Sequence, residues 1–567
     1  MASAELPSHR PRLHAHEPAE ARGSWLGHHR VPALVTICVL PLYVLWWAVF
    51  ATGGGDLAAQ VAWAEFARMY PGSAYNLFWY GGLHTANYSV ISPYLMAALG
   101  VVPVTLLSGL LSSWLAGALM VRSGVRKPLW PSLAVGFSLW CQVVSGRSTF
   151  MLGVAFGLAA VLALVGRRRI VVAVVCATLS TMGSPVAGLF LVVVGAAFLL
   201  SREWGRAAAL LVPPTAVVAL TTLLFPFKGE QPMAFVRIWP PVILCLVVLL
   251  MAPRAWRVLR FASAVYALGV VLCYLIASPI GTNVERLTEL AAPAALLAIV
   301  LDGVRRNEEN APATGPSSRW FTPRWQRVMC VVALVLSLTW LTGKTVADVI
   351  TNTKVPEYAV HTDGVVAELR RLGSEHTRVE VVPARDHREA AVLAPHVNLA
   401  RGWNRQADVE RGRLFYDGHR GTDVPKGTFS PASYRAWLSQ WAVGFVVVAN
   451  GQPDGPAELE HALVTSEPDY LERVWEDVNW RIYRVKDATP LVERPASVVS
   501  SDGANLVVRM PEAGSVTVRI AYSPWLWADN GCLAADGEFT RLTVRKAGQV
   551  RISSTYGGPS KSTAPAC

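Results

Sequence analysis

Apolar runs recur along the first part of the chain and are separated by short polar loops. A membrane-spanning helix needs about 20 mainly apolar residues, or somewhat fewer where flanking side chains snorkel. By this criterion the pattern predicts a polytopic α-helical membrane domain over residues 31–343 with about eleven spanning helices. Gly183-Ser184-Pro185 interrupts one long run and is compatible with a turn or a kink. The predicted helices begin near Val31, Tyr94, Leu129, Phe150, Ile170, Val186, Ala207, Ile238, Phe261, Leu287 and Val328.

The pattern changes after the last predicted helix, where the chain becomes polar and mixed. Over residues 344–488 an amphipathic helix alternates with strand-like runs, which predicts an extracytoplasmic α/β module. Over residues 489–555 short alternating strands are separated by Gly and Asp turns, which predicts a small β-sandwich. Residues 556–567 are rich in Gly, Ser, Pro and Lys and are predicted to form a flexible tail.

The basic residues of the loops indicate which side of the membrane each loop faces. Clusters of Lys and Arg fall in alternate loops, and the intervening loops hold few cations. Under the positive-inside rule the N-terminal tail, residues 1–30, is predicted in the cytoplasm and the C-terminal region outside. The tail has no apolar core of the kind that a cleaved signal peptide carries. The clusters are Arg122, Arg126 and Lys127; Arg167, Arg168 and Arg169; Arg202 and Arg206; Arg254, Arg257 and Arg260; and Arg305, Arg306, Arg319, Arg324 and Arg327.

Composition supports a cell-membrane protein and argues against a nucleic-acid partner. The chain has 567 residues, of which 53% are hydrophobic and 16% charged, which is more apolar than soluble proteins are. The net charge of +12 arises from the loop cations and is therefore a topology signal. Of the eight cysteines, Cys532 and Cys567 lie in the outer region, where an oxidising exterior permits a disulfide between them. No cysteine spacing resembles a zinc site, and no metal ligands are assigned.

Charged side chains are costly inside a bilayer, so their positions mark candidate sites. Here they collect at the outer mouths of the predicted helices, and the first outer loop, residues 52–94, is long for a connector. Three glycines allow a sharp turn that places Asp56 at the interface. Its carboxylate can accept a hydroxyl proton, hold a divalent cation or only cap the following helix. His84, in an aromatic stretch of the same loop, is a candidate for sugar binding, although such aromatics also suit the membrane–water belt.

The first outer loop carries a family resemblance. It has an acidic residue just past the first helix, an amphipathic stretch behind it and a Tyr-, Trp- and Pro-rich segment from Phe78 to Tyr94. Together with the outer C-terminal region, these features resemble the GT-C-fold membrane glycosyltransferases, including actinobacterial arabinofuranosyl- and mannosyltransferase-type enzymes. The paired acidic signature frequent in that family is missing here, since the nearest other carboxylate is Glu65.

The resemblance implies a reaction and its partners. Asp56 would be the catalytic base, and a sugar would move from a lipid-linked polyprenyl-phosphate donor to a cell-envelope glycan or lipid acceptor at the outer face of the bilayer. No cofactor is required by this chemistry. A divalent cation stays an open question, because the paired acidic signature is absent.

Basic residues at the outer mouths suit the phosphate of such a donor. Arg286 is the preferred phosphate contact, and Arg147, Lys228 and Arg237 lie in other outer loops. The alternative for Arg286 is that it snorkels or pairs with a nearby glutamate. Asn283 is placed either to bond sugar hydroxyls or to cap the helix that follows.

Two other functions stay open at this point. The chain is also compatible with a transporter or flippase of an envelope precursor, and with a non-catalytic envelope-assembly protein. A transporter more often has polar groups at the midplane and matching repeats, which are not visible, although the interruption at residues 183–185 keeps this alternative. No glycine-rich nucleotide loop is present. In the outer region Asp386, His387 and Glu389 lie close together, as they do in many surface loops.

Overall fold

The computed structural model describes residues 25–166, 169–302 and 323–556, with side chains described from residue 29 in the first helix and from residue 325 in the helix that begins at Pro323. Most of the predicted N-terminal tail and nearly all of the predicted flexible tail therefore lie outside the described residues. The same holds for some of the loop cations and for one outer cysteine, namely Arg167, Arg168, Arg305, Arg306, Arg319 and Cys567.

The described residues before 353 are mainly helical. Their helices are α1 (Trp25–Leu45), α2 (Asp56–Met69), α3 (Thr85–Tyr88), α4 (Ser92–Leu99), α5 (Val101–Arg122), α6 (Leu129–Val144), α7 (Ser148–Leu164), α8 (Ile170–Gly183), α9 (Pro185–Leu200), α10 (Trp204–Leu224), α11 (Trp239–Met251), α12 (Arg257–Leu275), α13 (Glu285–Asp302) and α14 (Pro323–Asn352). The interrupted apolar run is a turn, because α8 ends at Gly183 and α9 begins at Pro185. Proline suits the first turn of a helix, where its missing N–H has no partner to lose.

Helices occupy all eleven predicted positions, but eleven membrane spans are not confirmed. Within the described residues, five helices are long and apolar enough, by length and composition, to cross a membrane. Five further apolar helices have only 10–17 residues, fewer than the roughly 20 that an untilted span needs. The chain is thus a mostly helical membrane protein with a strand-rich C-terminal region. The five long helices are His29–Phe50, Val101–Arg122, Trp204–Leu224, Arg257–Leu275 and Trp325–Asn352.

The names first outer loop, for residues 52–94, and outer region, for residues 353–556, keep the predicted topology. The first outer loop contains α2, α3 and a short antiparallel hairpin of β1 (Tyr75–Asn76) and β2 (Leu83–His84). Most of its aromatic side chains are buried in the protein, whereas a membrane–water belt would leave them at the surface. Trp63 and Trp79 are each 1% exposed and belong to a core shared with the outer region. The loop is therefore as much a part of the outer core as a connection between helices.

A mixed four-stranded sheet follows α14. Its strands are β3 (Arg378–Val381), β4 (Val443–Ala449), β5 (Leu471–Glu476) and β6 (Trp480–Val485), in the order β3-β4-β6-β5. β3 and β4 are parallel, and the other pairs are antiparallel. The central strand β4 reads Val-Gly-Phe-Val-Val-Val-Ala and is buried along its whole length, as a strand covered on both faces should be. The accompanying helices are α15 (Glu357–Val360), α16 (Asp363–Arg371), α17 (Arg388–Leu393), α18 (Arg405–Arg411), α19 (Pro431–Gln440) and α20 (Glu458–Thr465).

The last seven strands of the described chain form two antiparallel sheets that share one core. They are β7 (Ser497–Ser501), β8 (Asn505–Met510), β9 (Gly514–Ala521), β10 (Leu526–Ala528), β11 (Cys532–Asp536), β12 (Phe539–Val544) and β13 (Gly548–Ser554). One sheet has the order β10-β13-β8-β7 and the other β11-β12-β9. Inward side chains such as Val508, Val518 and Leu542 alternate with exposed ones, as a sandwich requires. Cys532 is disulfide-bonded, and its proposed partner Cys567 lies beyond the described residues.

Candidate functional site

Asp56 is the first residue of α2, and the turn before it needs glycine. Gly53 and Gly55 have φ angles of +86° and +62°, a region that glycine enters without steric cost. A Cβ on Gly54 would lie 2.7 Å from Nη1 of Arg388, and one on Gly55 would lie 2.5 Å from Nδ2 of Asn352. The three glycines therefore bring the backbone close to two polar side chains and aim Asp56 away from them.

The guanidinium of Arg388 holds this turn against the outer region. It donates to Oγ1 of Thr52 at 2.8 Å, to the Asn352 carbonyl at 2.6 Å and to Oδ2 of Asp386 at 2.6 Å. The Gly55 amide donates to the Asp386 carbonyl at 2.7 Å. The Arg388 side chain thus links the segment between α1 and α2 to the end of α14, and the Asp386 carbonyl holds the start of α2 immediately before Asp56.

The Asp56 carboxylate faces two guanidinium groups. Its Oδ2 lies 3.8 Å from Nη2 of Arg286 and 4.0 Å from Nε of Arg147. Gly55 is the N-cap residue of α2 and Asp56 is the first residue of the helix, so the carboxylate does not occupy the capping position. Burial alone would lower the pKa of Arg147, but the carboxylates of Glu289 and Asp56 outweigh it, and the pKa is raised. Both partners of Asp56 are guanidinium groups, which keep their positive charge at neutral pH.

A wider ion network surrounds this pair and includes a lysine that the sequence analysis missed. Nη1 of Arg147 lies 2.8 Å from Glu289, and Nζ of Lys344 lies 2.7 Å from Glu285 and also contacts Glu289. Arg237 lies 3.6 Å from Glu285. The composition change places Lys344 at the start of the outer region, but α14 continues past it to Asn352. A lysine that directly follows the mainly apolar run from Val328 to Leu341 is the signal that could have identified it.

These residues line a cavity of about 930 Å³ between the helices and the outer region. It brings together five of the seven predicted site residues: Asp56, Arg147, Arg237, Asn283 and Arg286. Lys228 is exposed in the segment after α10 and is not among the lining residues. The cavity also has an apolar side formed by α9 and α10, with Val186, Leu189, Val192, Pro214, Val218 and Ala219.

His84 is not among the residues that line the cavity. It is 3% exposed, its ring packs against Tyr75 at 4.7 Å and Phe225 at 5.3 Å, and Nε2 lies 3.2 Å from Oγ of Ser523. Burial lowers the pKa of His84 to about 4. The structure therefore gives this histidine a place in the packing between the loop, α10 and the sandwich, and does not bring it to the other predicted residues.

The cavity includes a wall that was not predicted, formed by the consecutive residues Trp403, Asn404, Arg405 and Gln406 of the outer region. The Trp403 ring stacks on His387 with 3.3 Å between centroids, and the Arg405 guanidinium lies 4.8 Å from the Trp403 ring. These residues are about 350 positions from Asp56 in sequence, and no local pattern connects them to it.

The residues around Asp56 do not fit a divalent cation. Such an ion takes several oxygen ligands, whereas the charged groups nearest to Asp56 are the two guanidinium groups. In the described part of the chain, no group of three or more His, Cys, Asp and Glu side chains is placed to hold a metal. No step of the chemistry below is therefore assigned to a metal.

The cluster at Asp386, His387 and Glu389 is built into the outer region. Asp386 pairs with Arg388 and accepts a hydrogen bond from Tyr358. Burial raises the pKa of Glu389 well above its usual range and lowers that of His387 to about 4. These groups support the Arg388 contacts and the stacked Trp403, and they lack the arrangement of a nucleophile with its base.

Comparisons with known proteins give limited information. Residues 493–531, in the sandwich, match the model of a family described as a domain of unknown function, DUF8823. No curated protein matches the chain. Among solved structures the chain is similar to the cryo-EM structure of the arabinofuranosyltransferase AftD from mycobacteria, with 14% identity and a TM-score of 0.44. The match covers 86% of this chain and 41% of that one, so the chain spans less than half of that protein's length. At this TM-score the likeness carries no functional argument.

Proposed function

We propose that the protein is a membrane glycosyltransferase of the GT-C type, which moves a sugar from a polyprenyl-phosphate donor to a cell-envelope acceptor at the outer face of the membrane. The observation that carries the proposal is the Asp56 carboxylate in a cavity of about 930 Å³, between Arg286 at 3.8 Å and Arg147 at 4.0 Å. A general base beside cations that suit a phosphate is the arrangement that such a transfer needs. The separation of basic loops supports a cytoplasmic N-terminus and an outer C-terminal region.

In the proposed step Asp56 takes the proton of an acceptor hydroxyl, and the oxygen of that hydroxyl attacks the anomeric carbon of the donor. The bond between that carbon and the phosphate oxygen breaks, and the polyprenyl phosphate leaves with the electron pair. Arg286 and Arg147 offset the negative charge that develops on the leaving phosphate. Arg237, half exposed at the rim, is placed to meet the phosphate as it enters.

The apolar side of the cavity supports a lipid-linked substrate. Val186, Leu189 and Val218 line the cavity, and on α10 Val218 and Leu223 are exposed on the surface of the protein. A path from the ionic end of the cavity to the lipid lets a phosphate sit at the headgroup level while its isoprenoid chain stays in hydrocarbon.

The test is Asp56→Asn in proteoliposomes supplied with radiolabelled polyprenyl-phosphate sugars and envelope acceptor glycans. Loss of a general base typically costs about 10²–10⁴-fold in rate, and we expect a decrease in this range. Glu65→Gln is the matched control, because Glu65 lies on the same helix but pairs with Arg68 and does not line the cavity. Unchanged transfer in a correctly inserted Asp56→Asn protein would contradict the proposal.

A flippase of an envelope precursor is the second candidate function, because Ser184 and Pro185, at the break between α8 and α9, line the cavity. Broken helices that line a cavity are a feature of transporters. The same proteoliposomes separate the two functions. A flippase would move a fluorescent polyprenyl-phosphate sugar across the bilayer without forming a glycosidic bond, and Asp56→Asn would leave that movement intact.

A further inference from the structure

Amide side chains are concentrated around the cavity. Among the described residues, six Asn and Gln side chains contribute to its lining: Gln60, Asn87, Gln231, Asn283, Asn404 and Gln406. Each carries two N–H donors and a carbonyl acceptor without a net charge. They come from α2, α3, the segment after α10, the turn before α13 and the start of α18, so five separate segments bring the same chemistry to one space.

Two of these amides have atoms whose hydrogen bonds are not made within the protein. Oε1 of Gln60 and Nδ2 of Asn87 are buried and have no partner in the part of the chain that the structure describes. A buried polar atom without a partner is costly, and such atoms are uncommon in folded proteins. Both atoms are covered by the protein, so a ligand hydroxyl, which both donates and accepts, satisfies them only when the two amides turn toward the cavity that their residues line.

The outer wall of the cavity is held close to Asp56 by a continuous set of contacts. The Gly55 amide, one residue before Asp56, donates to the Asp386 carbonyl at 2.7 Å. His387, which follows Asp386 in the chain, stacks on Trp403 with 3.3 Å between the ring centroids. A molecule in contact with Trp403 is therefore close to the carboxylate that would take its proton.

The wall is also fixed to the membrane region. Nε2 of Gln406 donates to the Pro279 carbonyl at 3.3 Å, and the Gln406 carbonyl accepts from the Glu230 amide at 3.0 Å. Gln231 in turn donates to Oγ1 of Thr282 at 3.1 Å. The segments before α11, before α13 and at α18 thus form one connected rim, and a preformed rim reduces the ordering cost of binding.

The wall offers little free charge. Its cation, Arg405, lies 2.9 Å from Asp454 and 3.2 Å from the hydroxyl of Tyr416. The other charged lining groups belong to the ion network around Asp56 and Glu285. The surface offered by Trp403, Asn404 and Gln406 is therefore aromatic and neutral-polar, which suits the C–H faces and hydroxyls of a sugar better than a phosphate or carboxylate.

We propose that Trp403, Asn404 and Gln406, with Gln60 and Asn87, form the binding subsite for a neutral glycan acceptor. This inference rests on the proposed function, because it takes Asp56 to be the base that the acceptor hydroxyl reaches. A cavity of about 930 Å³ is near the upper end of the roughly 300–1,000 Å³ typical of small-molecule sites. It has room for the end of an oligosaccharide beside the head of a lipid-linked donor.

The test measures binding directly, without any need for transfer. The full chain in lipid nanodiscs is titrated by calorimetry with neutral pentose and hexose oligosaccharides of three or four sugars, and with a uronic-acid oligosaccharide of the same length. We expect the native chain to bind the neutral oligosaccharides. Trp403→Ala and Gln406→Ala should each lower that affinity by about tenfold, which is the effect of losing one aromatic contact or a pair of hydrogen bonds. Gln549→Ala, at an exposed amide of β13, is the matched control.

The outcomes separate the subsite from the proposed function. The binding titration needs no sugar transfer, so a failure of the transfer test leaves this measurement interpretable. In the transfer assay Gln406→Ala and the conservative Trp403→Phe should raise the KM for acceptor and leave that for donor unchanged. Equal or tighter binding of the uronic-acid glycan, or native affinity in both alanine variants, would overturn the subsite. The subsite would also be overturned if a chain that still transfers sugar did not bind the neutral oligosaccharide.

Discussion

At the scale of single residues, Arg388 contributes most to the geometry of the candidate site without being in it. Its guanidinium bonds to Thr52, Asn352 and Asp386 at once, in three directions that a planar fork satisfies and an ammonium does not. Asp56 begins its helix one residue after the glycine turn that this side chain contacts. Arg388 is therefore a positioning residue for the carboxylate.

We expect Arg388→Lys to lower the kcat of transfer by about 100-fold, because a misplacement of about 1 Å at a catalytic group has an effect of that size. The KM values for donor and acceptor should change little, since Arg388 does not line the cavity. Arg371→Lys is the control, because Arg371 forms an exposed pair with Glu368 on α16. A purely structural role for Arg388 would instead lower the amount of folded protein and leave kcat per folded molecule unchanged.

At the scale of elements, His84 in the hairpin of β1 and β2 contacts the first outer loop, the end of α10 and the sandwich. Its ring is buried against Tyr75 and Phe225, and Arg411 is the charged group that acts on it. Its pKa of about 4 lies below the value of about 6.5 expected for the unfolded chain. The unfolded state therefore takes up a proton at a higher pH than the native state does, and the native hairpin is favoured when the histidine is neutral.

The stability of the folded chain should therefore decrease in acid. The contribution of His84 to the free energy of unfolding should be fully present above about pH 6.5 and should be lost as the pH falls toward 4. Thermal unfolding of the native chain and of His84→Gln in nanodiscs, between pH 7.5 and pH 4.5, measures the difference. We expect the native chain to lose more stability than the variant over this interval. Parallel pH curves for the two proteins would contradict the pKa assignment.

Several elements and part of the site follow from the sequence for clear physical reasons. A helix is found at each position where hydropathy predicted one. The rule that charged groups are avoided inside hydrocarbon drew attention to Asp56, Arg147 and Arg286, which line one cavity. Lys344 was missed because it was read as the first residue of a polar region, although its helix continues. His84 is buried and lies outside the cavity lining, because an aromatic loop can pack in a protein core as well as at a membrane–water belt.

Other parts of the site depend on contacts that no local pattern carries. Trp403 and Gln406 reach the cavity because α18 meets the segments after α10 and before α13, and these segments are far apart in the chain. The length of a span is similarly a matter of tertiary packing. Helices such as α8 and α9, with 14 and 16 residues, are partly enclosed by their neighbours, so composition alone does not decide whether they cross the bilayer.

At the scale of the whole molecule, the first outer loop and the outer region share one core. Trp63 and Phe66 of α2 pack in the same cluster as Val447 and Trp480 of the four-stranded sheet. In the sandwich, Tyr75 and Phe78 belong to the cluster of Val508 and Ile552. The carboxylate at the start of α2 is thus packed on the outer region, while its arginine partners come from the helical part, Arg286 from α13 and Arg147 from the turn between α6 and α7. The candidate site forms only when the two regions are docked.

We therefore expect that the outer region is unstable without the first outer loop. A fragment of residues 353–556 should unfold at a lower temperature and bind more of a hydrophobic dye than the same fragment co-expressed with residues 52–94, because the loop covers apolar surface of both outer cores. Trp63→Ala in the co-expressed loop is the matched variant and should remove much of the gain, since deleting a buried tryptophan side chain costs about 3–5 kcal/mol. If the fragment alone were monomeric, bound no dye and melted at the same temperature as the pair, the outer region would be independently stable, and Asp56 would be carried by the membrane helices alone.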